Sequence, residues 1–153
     1  FMTNYPDCYR HIDFRKHPER YPIGKGEQGV LMAEPYKSEI LPYWRFKTPE
    51  IAKASAEKIY ALFLEYKEKQ EFVGMDMARK FLQMGFTRAR RYANHHSGQK
   101  YEENGNIRPQ DKGSEQSIKA QSASIFYEFY KKAKDDKDYL AMKSAHQARF
   151  KKH

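Results

Sequence analysis

The side chains best equipped for chemistry fall in one run, DMARKFLQMGFTRARRYAN from Asp76 to Asn94, which holds Arg79, Lys80, Arg88, Arg90 and Arg91, with Lys100 close behind. A guanidinium offers a rigid fork of donors that fits a phosphate bidentately, and an ammonium adds a point charge. Tyr92, and Tyr101 further on, carry rings that could stack on nucleobases beside those charges. Helical spacing sets Arg88 and Arg91 on one face, with Arg90 about a third of a turn from Arg91. Arg79, Lys80, Arg88, Arg90, Arg91, Tyr92 and Lys100 are therefore expected to contact phosphate or nucleic acid. The other reading of the same residues is a solvated basic face, partly paired with Glu57, Glu65 and Glu68 of the preceding helix. The order of helix, Gly-containing turn and basic helix also suggests a helix-turn-helix. The match is imperfect, because taking Gly85 as the turn glycine puts Arg91 and Asn94 where that motif buries apolar residues.

A second pattern, Gly24-Lys25-Gly26-Glu27-Gln28-Gly29, matches G-x-G-x-x-G. A dinucleotide site needs a strand before the glycines and a helix after them, so that the helix N-terminus meets the pyrophosphate. Here Pro22 precedes and an apolar, β-like run follows, so a tight turn leading into a strand is the expected structure. Kinase glycine loops do precede strands, but the other kinase elements are missing from the sequence. The rival to nucleic-acid binding is an enzyme or small-ligand protein. In it, Gly24, Lys25, Gly26, Glu34, Arg45 and Arg79 would recognise a phosphorylated or acidic small molecule in a pocket between a short β element and the helices.

Other chemistry is poorly represented. His95 and His96 are adjacent and cannot share a helical face, His11, His17 and His146 are remote, and Cys8 is the single thiol. No metal or other cofactor is expected from that spacing. No Ser or Cys has an evident local base. Glu102–Glu103 and Asp135–Asp136 sit in loop-like company, whereas Glu27, Glu34 and Glu39 share a Gly- and Pro-bounded region with Arg45 and could form a buried ion pair there. The expectation is a non-enzymatic protein. Its partner is a nucleic acid or, indistinguishable by sequence, an acidic protein.

These residues must be positioned by secondary structure. Pro6, Pro18, Pro22, Pro35 and Pro42 forbid a long helix in the first 47 residues. Gly29 to Glu34 and Tyr43 to Lys47 read as two short strands joined by a turn of helix near Lys37 to Leu41. Thr48 then caps a helix with Pro49 at its first position, and Ile51, Ser55, Ile59, Leu62, Phe63 and Tyr66 recur at helical spacing to about Lys69. Further helices are predicted over Gly74 to Met84, Thr87 to Asn94 after an interruption at Gly85, Ile118 to Asp135, and Asp138 to Phe150. Tyr9, Phe14, Tyr21, Tyr36, Tyr43, Trp44 and Phe46 are expected in core and rim. The predicted fold class is α+β, helix-dominated, with about five helices and a short N-terminal antiparallel β element.

Composition sets the outer bounds. The 153 residues carry 29 Lys and Arg against 20 Asp and Glu, a net charge of +9, and 15% aromatic side chains, enough to close one core. A single domain over residues 5–150 is expected, with 102–117 an exposed loop and Phe1 an extraneous residue ahead of Met2. No window is apolar enough for a membrane span, and the single cysteine fits a reducing, cytoplasmic setting. The charge is localised: residues 74–101 carry +5, residues 118–153 another +5, and the segment between them −2. Arg149, Lys151 and Lys152 form a basic tail.

The Asp76–Asn94 run resembles an uncharacterised domain-of-unknown-function family seen in bacteria, phages and fungi and usually labelled only as cytoplasmic. So do GKGEQGVLMAEPYKSEILPYWRFKTPE, from Gly24 to Glu50, and GQKY, from Gly98 to Tyr101. The resemblance extends roughly from Tyr5 to His146. It implies no activity and supplies no catalytic residues, so the functional expectations rest on residue chemistry.

Overall fold

The computed structural model describes residues 11–23, 32–94 and 117–151. Five helices follow one another: α1 (Tyr36–Ile40), α2 (Pro49–Glu68), α3 (Phe72–Asn94), α4 (Ile118–Lys134) and α5 (Lys137–Lys151). Short 3₁₀ turns occupy Pro18–Arg20 and Leu41–Tyr43.

α2 starts where the sequence signals it. Thr48 Oγ1 accepts the Ile51 amide at 3.2 Å, and Pro49 fills the first turn. Such a cap contributes about 1 kcal/mol. The helix ends in a reversal: Gln70 adopts φ 59°, its amide donates to the Lys67 carbonyl, and the Glu71 amide donates to the Tyr66 carbonyl. This pair of reverse bonds satisfies the last carbonyls and sends α3 back along α2. Ser117 caps α4 in the same manner as Thr48, with Oγ accepting the Ala120 amide at 3.0 Å. Asp136 Oδ1 accepts the Tyr139 amide at the start of α5.

α3 is the central element. From Phe72 to Leu82 every residue is buried, whichever way it points, because α1, α2, α4, α5 and the N-terminal segment surround it. Two glycines permit the closest approaches. A Cβ on Gly74 would lie 2.6 Å from Tyr66 Cγ and 2.8 Å from Tyr36 Cε1, and one on Gly85 would overlap the Phe126 ring of α4. The core includes Phe14, Tyr36, Ile40, Ile59, Phe63, Met75, Met77, Phe81 and Phe126.

Two expectations are corrected. The α+β class fails, since no strand occurs among the described residues. Met32 and Ala33 lead through a turn into α1, and Gly29 to Leu31 lie outside the described residues. Tyr43 closes a 3₁₀ turn, and Trp44 to Lys47 run on without a partner strand. The alternation of YWRFK instead serves a helix: Trp44 Nε1 donates to the Phe81 carbonyl at 3.0 Å, and the Trp44 ring meets Phe46 and Phe81 edge-on. The second correction concerns Gly85. It lies inside one continuous helix from Phe72 to Asn94, and its missing side chain makes room for Phe126.

Candidate functional site

The predicted basic block divides at Gly85. Its N-terminal members face inward: Lys80 is fully buried and Arg79 is 6% exposed, so neither belongs to an exposed phosphate-binding face. They converge on Asp76, three and four residues earlier on α3. Arg79 Nη2 lies 2.7 Å from Asp76 Oδ1, and Lys80 Nζ lies 3.4 Å from Oδ2. Two tyrosines from distant segments complete the cluster. The Tyr21 hydroxyl donates to Asp76 Oδ2 at 2.5 Å and accepts from Lys80 Nζ at 2.7 Å. The Tyr139 hydroxyl donates to Asp76 Oδ1 at 2.6 Å and accepts from Arg79 Nε at 3.1 Å. Arg79 also reaches Gln83.

Burial alone would raise the Asp76 carboxyl, but Arg79, Lys80 and the two hydroxyls hold it at about 2. Burial pushes the Lys80 ammonium down against the pull of Asp76, and it pushes both tyrosine hydroxyls up. His146 Nε2, on the face of α5 that carries Tyr139, donates to the Tyr21 carbonyl at 2.6 Å. The cluster thus fastens the N-terminal segment and α5 to α3.

The C-terminal members face outward. α3 and α4 are antiparallel, so the end of α3 lies beside the start of α4 and beside the extended segment Trp44–Lys47. The Phe46 ring sits 6.3 Å from the Tyr92 ring, and Lys119 Nζ lies 5.6 Å above Phe46 while donating to the Lys47 carbonyl at 2.9 Å. Burial, and then the nearby Lys47, lower the Lys119 ammonium. Tyr92 is 42% exposed. Arg88 shares its stripe of α3 with Arg91 beside it, whereas Arg90 is turned about 200° from Tyr92. Arg88 and Arg90 are half-buried and Arg91 is exposed. Three segments thereby bring Lys119, Phe46 and Tyr92 together, with Lys47 bonded to Lys119 and Arg88 and Arg91 in the same last turns of α3 as Tyr92. Phe46 and Lys119 were missed by reading along the sequence, since only the α3–α4 pairing brings them to Tyr92.

The expected pocket residues have separate surroundings. Glu34 accepts the Ser38 amide and hydroxyl, both at 2.9 Å, and so holds the start of α1. The Arg45 amide donates to Ser55 Oγ at 3.0 Å, and its side chain lines a hollow of about 230 Å³ with Pro42, Tyr43, Ile51, Ala54, Ser55 and Lys58. Gly24, Lys25, Gly26, Glu27, His95, His96, Lys100 and Tyr101 lie outside the described residues. Glu39, suspected of pairing with Arg45, pairs instead with Arg15. Both Arg15 Nη atoms donate to it at 2.8 Å, Nε donates to Glu71 at 2.7 Å, and the Tyr66 and Tyr36 hydroxyls complete the two carboxylates. The bonds from Arg15 hold the Glu39 carboxyl below its ordinary value. An open depression of about 630 Å³ beside this clamp carries three carboxylates, Glu39, Glu65 and Glu71, against Arg15 and Lys69. Its net negative lining disfavours an acidic or phosphorylated ligand.

Among the described residues no helix is long and apolar enough to cross a membrane, and no group of three or more His, Cys, Asp or Glu side chains is placed to hold a metal ion. Neither the curated proteins nor the solved structures contain a match to this chain. Residues 4–149 match one family model, and the chain belongs to that family, described as a domain of unknown function, DUF4385.

Proposed function

We propose that this protein is a non-enzymatic module that binds nucleic acid, mainly through backbone phosphates, at the end of the bundle where α3 meets α4. The observation that carries the reading is the placement of Lys119 and Tyr92 about the Phe46 ring, which joins three distant segments into one basic, aromatic surface. Every charged residue in those segments, Arg45, Lys47, Arg88, Arg90, Arg91 and Lys119, is a cation. Guanidinium and ammonium groups neutralise phosphates and release counterions, while exposed rings accept bases without selecting sequence. A cytoplasmic setting, expected from the single cysteine, belongs to the same proposal.

The test is binding of a labelled oligonucleotide by fluorescence anisotropy at several salt concentrations. Affinity is expected to fall by about 10³-fold or less between about 50 and 200 mM salt, in line with a handful of phosphate contacts. The double change R88A/R91A lowers both the affinity and the salt slope, the slope by about one for each charge removed. Binding that the double change leaves untouched overturns the proposal. An acidic protein partner in place of nucleic acid predicts no oligonucleotide binding at any of these salt concentrations.

A further inference from the structure

We infer that the hollow framed by Tyr43, Arg45 and Lys58 receives a nucleotide of an unpaired strand, so that the nucleic acid held at the Arg88–Tyr92 surface is single-stranded; this rests on the phosphate-binding reading above. The hollow measures about 230 Å³, and the charged side chains that line it, Arg45 and Lys58, are both cations. Its remaining walls are the Tyr43 ring, Pro42, Ile51, Ala54 and the Ser55 hydroxyl. An apolar and aromatic wall with positive charge at its edge matches a nucleotide, whose base has apolar faces and whose phosphate is an anion.

The cations are positioned. Lys58 Nζ sits 4.9 Å from the centre of the Tyr43 ring, at cation–π distance, and the Arg45 amide is tied to Ser55 Oγ on α2. Ile51, Ala54, Ser55 and Lys58 recur at spacings of three, four and one, so one face of α2 forms the floor.

Location selects the strand. Arg45 immediately precedes Phe46, the ring between Lys119 and Tyr92. An extended residue advances about 3.3 Å, so Tyr43 and Phe46 are separated by about 10 Å of chain at most, and one strand can reach both places. Tyr43, 44% exposed, lines the hollow, and Tyr92, 42% exposed, neighbours the Phe46 ring. A paired, stacked base cannot leave a duplex to fill the hollow without cost, whereas an unpaired base can.

The experiment compares three labelled probes of equal phosphate count per strand: a single strand of about 12 nucleotides, made as DNA and as RNA, the same strand without bases, and a duplex. Wild-type protein is expected to bind the strand with bases about 5-fold or more tighter than the abasic strand, one stacked base being enough for that ratio. Y43A is expected to abolish the ratio, and Y43F to restore it. Y43L keeps the bulk of the side chain and removes its aromatic face, so it serves the same purpose if Y43A fails to fold by circular dichroism. Equal binding of the two strands by wild type, equal or tighter binding of the duplex, or a ratio that survives both Y43A and Y43L overturns the inference while leaving phosphate binding intact. Failure of every probe to bind overturns the underlying reading instead.

Discussion

The Tyr21 hydroxyl donates to Asp76 at 2.5 Å across 55 residues of sequence, and the same oxygen accepts from Lys80 at 2.7 Å. One phenol thus links the N-terminal segment to a carboxylate and an ammonium buried in the central helix. Asp76 is the hub of the cluster, because Arg79 and Tyr139 bond its other oxygen. Two cations therefore share one buried anion, and they are not equivalent to it energetically.

Removing the anion is the more damaging change. Asp76→Asn removes the buried carboxylate that Arg79 and Lys80 both face, and is expected to destabilise the protein by about 3–5 kcal/mol. Lys80→Met removes the second cation, keeps most of the side-chain volume and leaves the Asp76–Arg79 pair intact, so its cost is expected to be about 1 kcal/mol. Urea unfolding of both variants measures the order. A Lys80→Met cost equal to that of Asp76→Asn would show that the ammonium is as central as the carboxylate.

The same carboxylate sets part of the acid response. Its folded value, about 2, lies below the ordinary 3.8, so its contribution is fully present above about pH 4 and is lost as pH falls through 2. The shift corresponds to about 2 kcal/mol. Wild type and Asp76→Asn are therefore expected to converge by about that amount between pH 5 and pH 2, while Glu39 and Asp136, also lowered, act alike in both. Parallel stability curves across that range would remove Asp76 from the account.

Gly85 is where helix propensity and packing oppose each other. An Ala in mid-helix gains up to about 1 kcal/mol of propensity over Gly. The added methyl must enter the Phe126 ring, however, and overpacking a filled contact costs about 1–3 kcal/mol. Gly85→Ala is expected to lower stability on balance, and the loss should shrink in a Phe126→Leu background, where the ring is gone. A stabilised Gly85→Ala single variant would contradict the close α3–α4 contact.

Gly85 also shows what a sequence conceals. Glycine reads as a breaker along one chain, and only the partner helix reveals it as a packing notch. α2 and α4 were legible because their signals are local: Thr48 with Pro49 at the start of α2, and the helical recurrence of Ile59, Phe63 and Tyr66 in α2 and of Ser122, Phe126 and Ala133 in α4. The extent of α5 was legible but not its inward face, since Leu140, Ala141, Ala145 and Ala148 are exposed while Tyr139 and His146 are buried. The YWRFK segment was misread because period-two alternation looks the same whether Trp44 and Phe46 face a strand or a helix. Arg79 and Lys80 were misplaced for a related reason. Their spacing from Asp76 announces an ion pair but not its depth, which depends on Tyr21 and Tyr139, 55 and 63 residues distant from that aspartate. The outward half of the block, Arg88 to Tyr92, needed no long-range partner to be recognised as basic and aromatic. Its completion by Phe46 and Lys119 did.

Lys119 separates charge from packing at that surface. Its ammonium lies over the Phe46 ring and bonds the Lys47 carbonyl, so the stem covers apolar surface while the head adds to the positive field. Lys119→Met keeps a long, flexible stem over the ring and removes the charge. Stability is expected to change by less than about 1 kcal/mol, since the lost bond is exposed and water can replace it. Oligonucleotide affinity should fall, with the salt slope reduced by about one contact. Thermal unfolding and anisotropy titrations on the same preparation read both quantities. A variant that loses stability but binds unchanged would assign Lys119 to packing alone and confine the phosphate contacts to Arg88, Arg91 and Lys47.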